Sequence, residues 1–310
     1  MISIIIPCYN EQEIIKDFIN ELYKNLKLIN EKFEIIFVDN KSDDKTLDII
    51  QENIKIFEKY KVLCLSNYFG KEAAILAGLD VVNGKASIIM DPDLEDPPSL
   101  ISVLISKWKE EYDVVYAQRK EAQTTFLKKI LRGIFYFIFR NLVNEKFLIP
   151  KNTGDFRILD NKVVNKIKSM REKTRFLRGL VSYVGYKQTG IEFDRPFRKK
   201  GKSKSNIFFL IRYGIDALLS SSSGPASLIT KFGIFSLVLV FMISSIIIVN
   251  KIFFDPYEGF SLTVLLILFL FSLNTLMIGV VGEYVTRIYD EVKQRPNYII
   301  ERIIEDEKNS

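Results

Sequence analysis

Ala86-Ser87-Ile88-Ile89-Met90-Asp91-Pro92-Asp93-Leu94-Glu95-Asp96-Pro97-Pro98 decides how this chain is read. It starts as a short apolar run of the kind that forms a buried strand. It ends in two carboxylates one residue apart, then two more, then a double proline that stops regular structure. In open α/β sheets ligands bind beyond the carboxyl ends of the strands. Hard oxygen donors at this spacing suit Mg2+ or Mn2+ bridging to substrate phosphates. A solvated acidic turn has the same composition, so the neighbouring stretches must arbitrate.

Upstream, apolar runs at Ile2 to Ile6, Phe33 to Val38 and Val62 to Leu65 predict three more strands. Between them lie helical spacings over about Gln12 to Asn30, Thr46 to Tyr60 and Lys71 to Gly78. Strands alternating with helices at this pace make βαβ units and a mainly parallel sheet. Pro98 to Glu111 reads as a further helix and Asp113 to Ala117 as a further strand. The loops Pro7 to Glu11, Asp39 to Asp44 and Asp91 to Asp96 all follow strand ends, so they share one sheet edge. Tyr9, Glu11, Asp39, Asp91 and Asp93 supply there an aromatic wall, acceptors for a base and ribose, and carboxylates for a metal–diphosphate. No Walker or GxGxxG pattern competes.

Composition removes several chemistries. The 310 residues contain no histidine, which excludes histidine general bases, Ser-His-Asp triads and histidine-bound zinc. Cys8 and Cys64 lie in apolar runs and read as reduced core thiols. The net charge of +6 is concentrated at Lys128 to Arg140 and Arg195 to Lys204, as suits phosphates or an anionic membrane surface. The N-terminus lacks a basic n-region and a cleavage site, so no signal peptide is expected and the polar part should stay in the cytoplasm.

The second half reads as membrane-associated. Residues 124–142 interleave Phe126, Ile130, Leu131 and Phe135 with Lys128, Lys129, Arg132 and Arg140, the pattern of an interfacial helix; a core helix is the alternative. Residues 205–222 predict a second such helix. Two uncharged apolar stretches at about 232–250 and 260–282 are each long enough to cross a bilayer, and the short link between them makes a hairpin. Arg287, Lys293, Arg295 and Arg302 follow it, so the positive-inside rule puts both termini in the cytoplasm. The expected layout is a catalytic domain over 1–225, a hairpin over 226–285 and a cytoplasmic tail over 286–310.

Four stretches then resemble family 2 glycosyltransferases of the GT-A (Rossmann-like) fold. They are Ile4-Ile5-Ile6-Pro7-Cys8-Tyr9-Asn10-Glu11, Val38-Asp39-Asn40-Lys41-Ser42, Asn67-Tyr68-Phe69-Gly70-Lys71-Glu72 and Asp91 to Pro98. Within that family the chain is similar to the polyisoprenyl-phosphate glycosyltransferases, such as bactoprenol glucosyltransferases and dolichol-phosphate mannose synthases. Thr153-Gly154-Asp155-Phe156-Arg157, Arg175-Phe176-Leu177-Arg178-Gly179, Gly201-Lys202-Ser203-Lys204 and Lys293-Gln294-Arg295-Pro296-Asn297-Tyr298 extend the likeness into the membrane region. Asn40 and Lys41 depart from the common Asp-Asp-Gly-Ser form, and Ser205 stands where an aromatic residue is common.

The resemblance implies residue roles. Pro7, Tyr9, Asn10, Glu11, Asp39, Gly70, Lys71, Asp91 and Asp93 would bind the nucleotide sugar. Asp91 and Asp93 would hold Mg2+ or Mn2+, and Glu95, Asp96 and the prolines would shape the loop. Asp155, with Asp93, would be catalytic, Asp155 orienting the site or acting as a base. Arg119, Arg175, Arg178, Arg195, Arg198, Lys202 and Lys204 would hold the acceptor phosphate or the diphosphate. The implied enzyme is an inverting hexosyltransferase of the inner membrane, acting on polyprenyl (undecaprenyl) phosphate at the bilayer's cytoplasmic face. UDP-glucose is the first-choice donor, with GDP-mannose, UDP-N-acetylhexosamine or a UDP-aminopentose as alternatives. Relatives can assemble as tetramers. A non-catalytic lipid-phosphate scaffold is the rival from another class; a processive synthase lacks its tryptophan motif here, and nucleic acid is not an expected partner.

Overall fold

A computed structural model of the chain describes residues 1–120, 150, 152–170, 172, 176–194 and 260–306, with isolated positions between 233 and 253. Both expected interfacial helices, at 124–142 and 205–222, lie outside the described residues. The described part is built on an eight-stranded sheet in the order β7-β5-β6-β4-β1-β2-β3-β8. β1 (Ile2–Cys8), β2 (Phe33–Asp39), β3 (Tyr60–Leu65) and β4 (Ala86–Ile89) form its centre. They pair in parallel, as continuous apolar runs buried on both faces require. β5 (Val114–Arg119) and β7 (Gln188–Phe193) run the same way. β6 (Thr153–Asp160) and β8 (Ile300–Glu305) run against them. The mainly parallel expectation therefore meets a mixed α/β sheet with two reversed strands.

Strand alternation splits the core into two faces. Ile4, Ile6 and Phe37 pack under α1 (Ile15–Leu26), α2 (Thr46–Asn53) and α4 (Ile101–Lys109). Ile5, Ile36 and Val38 pack under α3 (Lys71–Asp80), α5 (Asn161–Ser169) and α6 (Leu177–Val184). α1 buries Ile15, Phe18, Ile19, Leu22 and Leu26 at helical spacing. α3 lies so close to the sheet that a Cβ on Gly78 would collide with the Ile5 side chain. That approach fixes the start of α3, and Lys71 with it, over the carboxyl edge of β1.

At the opposite edge Glu34 is fully buried. Its carboxylate accepts from Ser3 Oγ at 2.7 Å and from the Asn83 amide at 3.1 Å. A buried carboxylate needs such partners. They lock β1, β2 and the approach to β4 together, away from the ligand edge.

The C-terminal part departs from the expected layout. α7 (Phe260–Val292) runs past the anticipated end at 282 and carries Glu283 and Arg287 on the same helix. Among the described residues it is the one helix long and apolar enough to cross a membrane, over Phe269–Val292. Ile267, Phe269, Phe271 and Ile278 are exposed along it, as on a helix that is apolar all round. The first expected span, 232–250, falls mostly outside the described residues; its isolated described positions are helical. The segment from 286 is more than a tail, because Ile300–Glu305 joins the main sheet beside β3. Ile304 and Ile300 pack against the two faces of the core, so this strand covers an edge that would otherwise stay unpaired.

Candidate active site

The carboxyl ends of β4, β1, β2 and β3 lie side by side, and their loops enclose a cleft of about 220 Å³. Pro7, Tyr9 and Glu11 line it from the β1 loop, Lys71 from α3, and Asp91 and Asp93 from the β4 loop. Six of the anticipated nucleotide-sugar residues thus share one cavity. The other three stand behind it. Asn10 (φ 52) donates its backbone N–H to Ser42 Oγ at 3.0 Å and accepts from the Asp43 amide at 2.8 Å. It ties the β1 and β2 loops together. Asp39 is buried, with the Ser42 amide 3.3 Å from its carboxylate. Burial pushes its carboxyl up, against the Ser42 hydrogen bonds. Gly70 (φ 88) starts α3 in a backbone conformation that favours glycine.

The cleft also has walls that the sequence reading left unassigned. Cys8, Asn40, Tyr68 and Ala74 line it. The Tyr68 ring lies 4.4 Å from that of Tyr9, tilted by 44°, which makes a two-ring apolar wall. Asn40 Oδ1 accepts from the Phe69 amide at 2.9 Å and so fixes the loop that carries Tyr68. An aromatic residue in the polar stretch Asn67 to Lys71 was the available signal.

Register explains the corner that holds Asp155. β6 runs antiparallel to β4 with Ile89 opposite Arg157. Two residues onward on β4 and two back on β6 bring Asp91 opposite Asp155. Lys71 Nζ fills the gap, 2.7 Å from Asp91 Oδ2 and 2.7 Å from Asp155 Oδ2. The other Asp155 oxygen accepts from Arg178 Nε at 2.7 Å. Burial alone would raise the Asp155 carboxyl, but Lys71 and Arg178 hold it well below its ordinary range. Burial likewise acts to lower Lys71, and Asp155 and Asp91 overcome it and hold the ammonium protonated. Asp155 is thus an ionised hinge between two cations.

Arg119 belongs to the same corner. Its guanidinium is 3.6 Å from Asp96, which is buried. A Cβ on Gly154 would stand 3.1 Å from Arg119 Nη2, so the glycine makes room for this side chain. Burial and the nearby Asp91 push Asp96 up to about 7, against Arg119. Arg175, Arg195, Arg198, Lys202 and Lys204 lie outside the described residues.

Asp91 and Asp93 fit a divalent cation by donor chemistry: two hard carboxylates in one cleft, with room for substrate phosphates to complete the shell. Among the described residues no group of three or more such side chains gathers, so most ligands would come from substrate and water.

Glu72 is a further carboxyl, half-buried next to Lys71. Burial raises it to about 7, Asp155 adding to the effect and Arg178 opposing it. Its Oε2 accepts from the Leu177 amide at the start of α6, at 3.2 Å. A raised carboxyl contributes stability that is complete below its unfolded value, about 4.3, and is lost as pH rises through 7. Glu72→Gln removes that titration and keeps the acceptor for Leu177. In thermal scans the variant's melting temperature should gain several degrees on the parent between about pH 5 and about pH 8.5. A difference independent of pH would exclude this account.

Comparison with known proteins places these features. The profile described as Glycosyl transferase family 2 matches residues 3–168. The Bacillus subtilis protein named Uncharacterized glycosyltransferase YkcC is 37% identical over 97% of this chain and 93% of its own length. The Bactoprenol glucosyl transferase of Shigella phage SfII is 35% identical over 97% of both chains. Among solved structures, mannosyl-3-phosphoglycerate synthase from Rubrobacter xylanophilus aligns over 75% of both chains, at 14% identity and a TM-score of 0.47. The family profile and the two full-length relatives at 37% and 35% identity make this a family relationship, and the chain belongs to glycosyl transferase family 2.

Proposed function

We propose that the enzyme moves a hexose, glucose from UDP-glucose in the first place, onto polyprenyl phosphate at the cytoplasmic membrane face, with inversion. The observation that carries this is the match to bactoprenol glucosyl transferases over 97% of the chain, including the C-terminal apolar helix. A GT-A sugar-nucleotide site alone would leave the acceptor open.

The residues divide the work by chemistry. Tyr9 and Tyr68 offer an apolar wall to the base, and Asp39, Pro7 and Glu11 surround the base and ribose. Asp91 and Asp93 would hold Mg2+ or Mn2+, which when bound supplies positive charge at the leaving diphosphate. Lys71 brings a fixed ammonium to the same end, and Asp155 aims Lys71 and Arg178 across the cleft. The acceptor phosphate is already anionic near neutral pH, so its attack opposite the leaving diphosphate needs little help from a base. Arg119, Arg175, Arg178 and the basic stretch from Arg195 to Lys204 provide cations for the two phosphate groups.

Chain connectivity supports the membrane layout. β6 and β7 precede the apolar segments, and β8 follows them in the same sheet. A chain that leaves and rejoins one sheet must cross a bilayer an even number of times. With α7 as one span, residues 232–250 supply the other. The layout is then a catalytic domain over 1–225 completed by β8, with both termini cytoplasmic. Membranes holding the enzyme are incubated with undecaprenyl phosphate and labelled UDP-glucose, GDP-mannose, UDP-N-acetylhexosamine or a UDP-aminopentose, with and without EDTA. Label should enter lipid best from UDP-glucose and only with metal. No label from any donor would overturn the reaction; transfer in EDTA would overturn the metal.

A further inference from the structure

The last strand of the chain lies beside the donor loops. β8 pairs with β3, Cys64 opposite Arg302. β3 pairs with β2, Cys64 opposite Asp39, and β2 with β1, Asp39 opposite Cys8. Cys8, Asp39, Cys64 and Arg302 therefore form one row across the carboxyl edge. Residues directly opposite on paired strands project to the same face of a sheet. Arg302 stands directly opposite Cys64, which puts its positive charge two strands from Asp39 on the same face.

A second tie runs to the loop itself. Lys41, at φ 60, stands between Asp39 and Ser42, and its Nζ is 3.4 Å from Glu301 Oε2. The backbone joins in: the Ser66 amide, entering the Tyr68 loop, donates to Ile299 O at 2.9 Å. Asp39 is buried and must stay ionised to accept ring N–H groups from a nucleobase. A guanidinium in the same row favours that state and does not itself titrate.

We propose that β8 is a working part of the donor site. Arg302 is a positioning residue whose charge favours ionised Asp39, and the Lys41–Glu301 pair holds the turn that follows Asp39. Nucleotide affinity thus depends on chain lying beyond the membrane helix. This rests on the nucleotide-sugar reading of the cleft.

The test titrates UDP, and separately GDP, into the full-length protein in detergent by calorimetry, alongside donor KM and kcat. Arg302→Ala should weaken UDP binding about threefold, as expected for loss of a solvent-screened charge two strands from Asp39. Donor KM should rise by the same factor with kcat little changed, and Arg302→Lys should recover part of the loss. Lys41→Glu and Glu301→Lys should each weaken UDP about threefold, since the pair is exposed. The double exchange should return affinity to within about twofold of the parent, as a direct pair requires. Glu305→Ala is the control. Glu305 lies 3.8 Å from Lys61 at the far end of the strand, so its loss should move thermal stability and leave UDP affinity alone. If Arg302→Ala lowers stability without touching UDP affinity, β8 is only an edge strand and the proposal falls. If the parent binds neither nucleotide, the donor reading and this inference fall together.

Discussion

Asp93→Asn should lower the rate of sugar transfer about a thousandfold while leaving the melting temperature nearly unchanged. The reason lies in how the side chain is used. Asp93 Oδ1 accepts from the Glu95 amide at 3.0 Å, across a turn whose centre, Leu94, has φ 59. An asparagine carbonyl oxygen makes the same hydrogen bond, so the turn survives. What disappears is one negative charge from the wall that faces Lys71 and Asp91. The hard donors then drop from two carboxylates to one, too few for a cation that keeps the rest of its shell as water and phosphate. Transfer is measured with excess acceptor over a Mn2+ titration, and the half-saturating Mn2+ concentration should rise in parallel with the loss of rate. A variant that keeps more than about a tenth of the parent rate would remove Asp93 from the metal–diphosphate chemistry.

This turn is legible in the sequence without coordinates. Apolar runs announced β1, β2 and β4, because buried parallel strands need uninterrupted apolar residues. Loops following such strands share an edge by topology alone, so Tyr9, Glu11, Asp91 and Asp93 could be gathered without coordinates. Lys71 was named through its motif. Its bond to Asp155 was hidden, because it depends on β6 returning antiparallel beside β4, a register no local pattern announces. Asp96 reads as a loop-shaping acid and Glu72 only as the end of a motif; packing alone shows Asp96 to be buried and Glu72 half-buried against the start of α6. β8 was missed for another reason. Ile300-Glu301-Arg302-Ile303-Ile304-Glu305 is half charged, lacks the alternation of a strand and follows an apolar helix, and such a segment resembles a tail until an edge strand is found for it.

The second large effect belongs to Asp155, and it separates holding a site from moving a proton. Asp155→Asn should reduce transfer about a hundred- to a thousandfold. It should also destabilise the fold by about 2 kcal/mol, less than the ~3–5 kcal/mol of breaking a fully buried pair, because Lys71 is part exposed and keeps Asp91. The sign with pH follows from the depressed carboxyl. Its stability contribution is complete above the unfolded value of about 3.9 and is lost only as pH falls through the folded value. A group so firmly ionised is a poor base, since a base works best with a pKa near the operating pH. The kcat profile of the parent should therefore show no limb near neutrality that belongs to Asp155. If a limb appears near 7, Glu72→Gln or Asp96→Asn should remove it, because Glu72 and Asp96 are the carboxyls raised to about 7 beside this corner. Lys71→Met supplies the second half of the argument. If Asp155 acts by aiming Lys71, the two substitutions are strongly non-additive, and the double variant is little slower than Asp155→Asn alone. Additive losses, or a neutral limb abolished by Asp155→Asn and untouched by both Glu72→Gln and Asp96→Asn, would instead make Asp155 the proton acceptor.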